Sequence, residues 1–302
     1  MDTENMIIVR EGTFLMGAMD FYPEERPLRL MAVNRFWIDE CPVTNAQFRC
    51  FVDDTDYVTV AERPVTEDDY PEADPSMLVP GSLVFHQATG PVDLRDISNW
   101  WSYLPGATWR HPYGADSDLN GLETHPVVHV TYEDAYRYAQ WAGKEMPTEV
   151  EWEYAARGGL EGATYAWGDE FAPEGQHMAN VWIGEFPWQK PESEYERTSP
   201  VRAFPPNGYG IYDMIGNVWE WTADPFALPI SSPRRNTCCS GSQSAKTEAN
   251  TRVVKGGSHL CAPNYCRRYR PSARQPQSVD TSSCHIGFRC VLREPSGTGP
   301  SA

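Results

Sequence analysis

Two cysteines separated by four residues, Cys261 and Cys266, stand in the run KGGSHLCAPNYCRRYRPSAR at 255–274. Gly256 and Gly257 permit positive φ and close backbone approach, and Pro263 and Asn264 favour a turn. The residues between the thiols are therefore expected to bend back and bring the sulfurs together. Arg267, Arg268 and Arg270 supply positive charge, which favours thiolate over thiol and improves sulfur both as nucleophile and as metal ligand. Two soft thiolates without a histidine cluster suit Cu(I) better than Mg, Mn or Fe(II). The same spacing also serves a local disulfide or two unpaired thiols, and a sequence carries no geometry with which to choose.

Such a loop needs a scaffold. In CPVTNAQFRCFVDDT, Thr44 with Gln47 forms a capping box and Phe48, Phe51 and Val52 recur at helical spacing, so a helix starts there. Within 125–159, Thr131 with Asp134 and Thr148 with Glu151 mark two more helix starts. Gly143 and Gly158 mark the stops, and Ala135, Tyr138, Ala139 and Ala142 line one apolar stripe. Residues 7–16 read as a strand pair, 20–27 as an acidic, proline-bounded surface loop, and MANVWIGEFPWQ at 178–189 as loop and short strand. Residues 125–129, HPVVH, read as a strand. On a strand His125 and His129 share a face about 13 Å apart at ~3.3 Å per residue, too far to chelate one ion. Residues 55–121 show no period, which is unusual unless the stretch is functional. Cys41 and Cys50 read as buried small hydrophobes. Residues 225–250, with Cys238 and Cys239, read as a mobile excursion.

The chain has 302 residues, near the upper end of what one hydrophobic core supports. Its 26 prolines and 23 glycines are scattered, which argues for a loop-rich fold without a linker. The expected class is α+β: a single loop-rich domain over 1–302 with little regular secondary structure, a core at about 5–293 and a flexible tail at 294–302. Eleven tryptophans can stabilise such a fold by the area each buries. Charge is −17, from 42 acidic and 25 basic residues. That opposes nucleic acid and anionic membrane as partners, is compatible with a basic peptide, and for the most part serves solubility. No apolar run approaches the ~20 residues of a membrane span. The opening MDTENMIIVREG lacks the basic start and apolar core of a secretory signal, so a cytosolic chain, and a monomer, is expected. Eight cysteines are too few for a disulfide scaffold of this length, and in a reducing compartment a close pair is more often catalytic or metal-binding.

The run at 255–274 resembles the active-site segment of the formylglycine-generating enzymes, the sulfatase-modifying family, in its bacterial cytosolic type. The similarity continues in SSCHIGFRC at 282–290 and in GTFLMG, PVDLRDISNWW, GATWRHP and VRAFPPNGYGIYDMIGNVWEWTAD, in the family's order and over nearly the whole chain. The resemblance implies that family's C-type-lectin-like fold and a copper- and O2-dependent oxidation. A cysteine in a C-x-P-x-R motif of an unfolded client sulfatase peptide would become Cα-formylglycine. It implies Cu(I) held by Cys261 and Cys266, with the client thiolate as third ligand. Ser258, Tyr265 and Arg267 would be the polar active-site groups, Trp219 a neighbour of the thiols, and His285 stands where some members carry asparagine. It further implies Ca2+ at two positions. The first has Asn180, the Val181 carbonyl, and Glu194 or Glu192 with the Glu196 carbonyl, from a loop one residue shorter than the family pattern. The second has Asp213, the carbonyls of Gly216 and Val218, and Glu220. Trp100, Trp101, Trp109 and Arg110 match segments near the substrate groove. Two alternatives share the scaffold: a binding module without oxidase chemistry, which would lose the cysteine pair, and an iron-dependent sulfoxide synthase, which needs three histidine ligands and a further helical domain.

Overall fold

The computed structural model describes residues 3–67, 71, 78–190, 195–228 and 250–294. Strands β1 (Met6–Val9), β2 (Gly12–Met16), β3 (Arg29–Val33) and β4 (Phe36–Asp39) precede helix α1 (Asn45–Thr55). A hairpin of β5 (Gly81–Phe85) and β6 (Trp101–Pro105) leads to helices α2 (Tyr132–Trp141) and α3 (Glu149–Arg157). The chain closes with β7 (Trp219–Pro225), β8 (Thr251–Lys255), β9 (Arg274–Ser278), β10 (Ile286–Gly287) and β11 (Val291–Arg293). The class is α+β, with small sheets and much irregular chain.

Each helix starts where its capping box predicts. Thr44, Thr131 and Thr148 accept from the N3 amide while the side chain of Gln47, Asp134 or Glu151 accepts from the cap amide. Such a cap is worth about 1 kcal/mol. Helix α3 ends at Gly158 with φ 56°, where a Cβ would lie 2.7 Å from the Gly208 amide, so only glycine fits. The apolar faces meet in one aromatic cluster, in which Phe48 packs edge-on to Trp109 at 5.1 Å and to Phe288 at 6.4 Å and stacks on Tyr138 at 5.9 Å.

The strand pair expected at 7–16 is not a hairpin. β1 pairs with β4 and β2 with β3, both antiparallel, because the Arg10-Glu11 connector has neither glycine nor asparagine to form a tight primed turn. β4 lies between β1 and β11, so the two ends of the chain share one sheet. Glu294, placed in the expected tail, pairs with Arg35 at 2.5 Å. HPVVH is not a strand either: it makes one isolated bridge, Thr44 to Pro126, and His129 sits at φ 60°. No strand forms within 178–189. Cys50 is exposed and Cys41 half-buried, since α1 turns Phe48, Phe51 and Val52 inward and leaves position 50 outside.

The second sheet, in the order β10-β7-β8-β9, is the platform for the thiols. The run 256–273 is the connection between the antiparallel neighbours β8 and β9. Buried ion pairs fix its base: Lys255 to Glu153 at 2.9 Å and Arg274 to Glu149 at 2.7 Å, both onto α3. Arg270 meets Glu25 at 2.5 Å with both side chains fully buried, and Ser272 also donates to Glu25. The segment 20–27, expected on the surface, therefore turns Glu25 inward, because a buried guanidinium must have its counter-charge.

Candidate active site

The loop leaves β8 through Gly256 and Gly257, at φ 92° and 73°. A Cβ on Gly256 would stand 2.7 Å from the Met214 carbonyl and one on Gly257 2.9 Å from that of Arg268, so both positions demand glycine. The Cys261 amide donates to the Ser258 carbonyl at 2.9 Å, and the amides of Tyr265 and Cys266 both donate to the Ala262 carbonyl. This turn carries Cys266 back onto Cys261, with the sulfurs 3.3 Å apart and both buried. That separation is well beyond a disulfide bond of about 2.05 Å, so the pair is a dithiol sharing a proton.

The electrostatics divide the two sulfurs. The Cys261 thiol donates to Cys266, and with Arg268 this holds the Cys266 thiol down to about 7. Burial and the neighbouring sulfur push Cys261 well above the usual thiol range. Of the two sulfurs, Cys266 is therefore the one held toward the thiolate and Cys261 the one that keeps its proton. Of the three arginines expected to supply charge, only Arg268 does so directly. Its Nη1 lies 4.0 Å from Cys266 Sγ, while Glu24 holds its other nitrogen at 2.5 Å and the Tyr22 ring lies 3.7 Å beneath it. Arg270 is consumed by Glu25. Arg267 turns to the Tyr165 hydroxyl at 3.4 Å and the Phe21 ring, and does not line the cavity.

Both sulfurs open into a cavity of about 390 Å³ whose walls include Leu83, Ile97, Trp101, Phe186, Trp219, Tyr265, Arg268 and His285. Tyr265 stacks on Phe186 at 4.5 Å and leaves its ring partly exposed. His285 lies against Trp101 at 4.8 Å, and burial lowers its imidazole to about 3, so it is neutral. Ser258 lines the cavity, but its hydroxyl accepts from the Leu260 amide at 3.3 Å. A second cavity of about 290 Å³ shares Leu83 and Thr281 with the first and adds Val60, Ala61, Val65, Tyr103 and Asp280. The parallel bridge from Leu83 to Ser283 holds the β5–β6 hairpin over this joint. Of the expected groove residues only Trp101 faces the cavity. Trp100 is fully buried behind Tyr265, Trp109 is core, and Arg110 lies over Trp109 beside Glu62.

The donor set suits a soft monovalent metal at the thiols: one thiolate and a second sulfur in reach, buried, with an open side. The expected calcium ligands fit less well. Glu192 and Glu194 lie outside the described residues. Asn180 donates its amide to the Arg197 carbonyl at 2.8 Å, and Lys190 occupies the Glu196 carbonyl at 2.8 Å. Val181 is buried in the core. In the second position Glu220 accepts from Trp152 and, on both oxygens, from Arg289, at 2.7 to 2.8 Å. Asp213, on the turn that carries Gly216 and Val218, is a buried carboxyl pushed up to about 6 by burial, and it accepts from the Arg202 amide at 2.8 Å. His125 meets Thr198, and His129 meets Ser82 and the Pro112 carbonyl. Among the described residues no three His, Cys, Asp or Glu converge on a metal position.

Arg268 was legible only as one charge among three. Glu24, Tyr22, Gln275 and Gln277 carry no local signal, because they reach the site from a distant segment or from the next strand.

Fold and site together define a cavity protein with a buried pair of thiols at the cavity's inner end. Residues 1–294 match the model of the sulfatase-modifying factor enzyme 1-like domain, and the chain belongs to that family. It is 53% identical over 290 residues to a formylglycine-generating enzyme of Mycobacterium tuberculosis, covering 95% of this chain and 97% of that one. It is 38% identical to a mouse relative named as an inactive C-alpha-formylglycine-generating enzyme 2, covering 95% of this chain and 85% of that one. The structure of PvdO from Pseudomonas aeruginosa shares the fold, with TM-score 0.61 and 22% identity over 96% of this chain and 94% of that one.

Proposed function

We propose that this chain is a formylglycine-generating enzyme, oxidising a cysteine of a client sulfatase, within C-x-P-x-R, to Cα-formylglycine with O2. The observation that carries the reading is the free Cys261–Cys266 pair, 3.3 Å apart at the inner end of an open cavity. The 53% identity to a named enzyme of that activity supports it.

Cys261 and Cys266 would hold Cu(I), which supplies the redox chemistry that an unactivated Cβ–H bond requires. The chain's residues do the rest. Arg268 favours the ionised Cys266; Trp219, Leu83 and Trp101 give the cavity apolar walls; neutral His285 and the Tyr265 hydroxyl are among its polar groups. Ser258 holds the turn, and Arg267 braces the loop from outside against Tyr165. The balance is one thiol, O2, two electrons and two protons giving aldehyde, hydrogen sulfide and water, so an external thiol reductant is needed. A client arginine four residues past the cysteine would lie about 13 Å along an extended chain. The second cavity, which adjoins the first at Leu83 and Thr281, is the place for it, with Asp280 on its wall and Val65 and Tyr103 for the proline.

Calcium, where bound, belongs at the Asp213 turn and is structural. No helix among the described residues is long and apolar enough to cross a membrane. The six free cysteines among the described residues support a reducing, cytoplasmic setting, and we take the enzyme as a monomer. The inactive relative favours a second reading, a binding module on the same fold; retention of both thiols opposes it. Aerobic incubation of the copper-loaded protein with a C-x-P-x-R peptide and reductant tests the choice: aldehyde supports the oxidase, and bound but unchanged peptide supports the module.

A further inference from the structure

Two carboxamides on the wall of the thiol cavity have no task in the fold. Gln275 and Gln277 both line it, at alternate positions of β9, and both are half-buried. Among the described residues neither side chain has a hydrogen-bond or ionic partner. The polar groups beside them are engaged: Ser283 meets His285 at 3.3 Å, Ser258 accepts from the Leu260 amide, and Arg268 pairs with Glu24. A carboxamide carries two N–H donors and an acceptor oxygen, so these two side chains keep their full bonding capacity for a ligand.

Their spacing selects the kind of ligand. Positions i and i+2 of a strand share a face about 6.7 Å apart, and an extended peptide repeats its main-chain amides on one side at that same interval. Both carboxamides can therefore meet the main chain of one extended segment lying along β9. That strand is the outer one of its sheet. Pro276, between the two glutamines, has no N–H with which to continue the ladder to a further strand. Side chains, not the strand's own amides, then make the contact. Leu83, Ile97 and Trp101 give the same cavity an apolar lining for the segment's side chains.

We propose that Gln275 and Gln277 hold the client by its main chain beside the reacting cysteine. The proposal rests on the functional reading above and adds to it the residues that bind whatever side chains stand at the x positions of C-x-P-x-R. A client segment already folded into helix or sheet pairs those amides internally and is refused.

The test is the anisotropy of a fluorescent C-x-P-x-R peptide with the reduced, copper-free full chain under argon, where no turnover occurs. Leucine keeps the bulk of glutamine and removes its donors and acceptor. Gln275→Leu and Gln277→Leu should each weaken binding about 5-fold, the effect of one neutral hydrogen bond, and in turnover should raise KM with kcat unchanged. A second measurement leaves the parent chain intact and replaces each main-chain amide of the peptide in turn by an ester. At least one ester should weaken binding to the parent by a similar factor and have no further effect in the matching leucine variant. Parental affinity in both variants overturns the proposal, as do ester and leucine effects that simply add; neither result touches the functional reading if the parent converts the peptide. A parent that binds no such peptide overturns both.

Discussion

At the scale of single residues, the site depends on two thiols with unequal protons. In the reduced, metal-free protein, iodoacetamide should modify Cys266 with a midpoint near pH 7, while Cys261 stays protected. Replacing Arg268 by Met should raise that midpoint by about one unit, because the nearest cation is lost. Replacing Arg267 by Met should leave it in place, and equal shifts from both variants would contradict the assignment. The sequence made the approach of the sulfurs legible through the Gly-Gly and Pro-Asn pairs. Which arginine serves them was not, since neighbouring residues of an irregular loop point opposite ways and their partners, Glu24 and Tyr165, lie more than a hundred positions off.

Elements set where the loop stands. The helix starts were readable to the residue because Thr44, Thr131 and Thr148 write their caps locally. The pairing of β1 with β4 was not, because register depends on a partner some thirty residues away. Glu25 was misplaced for the same reason: its counter-ion, Arg270, lies near the far end of the chain. Glu25→Ala should cost about 3–5 kcal/mol in urea unfolding, since it leaves the buried Arg270 without a counter-charge. It should also lower copper affinity by loosening the loop. Thr148→Ala should cost about 1 kcal/mol and leave turnover unchanged. A Glu25→Ala protein as stable as the parent would remove the ion pair from the account.

For the whole molecule, charge and pH matter most. His129 is fully buried and lowered to about 4 by burial. The unfolded chain takes up that proton near pH 6.5 and the folded chain does not, so stability is present above about 6.5 and falls below it. Between about pH 7.5 and pH 5 this one residue should remove about 2 kcal/mol. His129→Gln should be less steep by that amount, and an unchanged slope would refute the assignment. The net charge of −17 should attract an arginine-bearing client, so kcat/KM should fall as salt rises, and Asp280→Asn should raise KM more than it lowers kcat.

The central claim is that neighbouring thiols hold the metal at which a client cysteine is oxidised. Its most direct test is the mass of a C-x-P-x-R peptide after aerobic incubation with Cu(I), reductant and either the parent chain, Cys261→Ser or Cys266→Ser. The parent should remove about 18 mass units, the change from thiol to aldehyde, and each variant should lose both copper and conversion. Conversion at the parental rate by either variant would contradict the account.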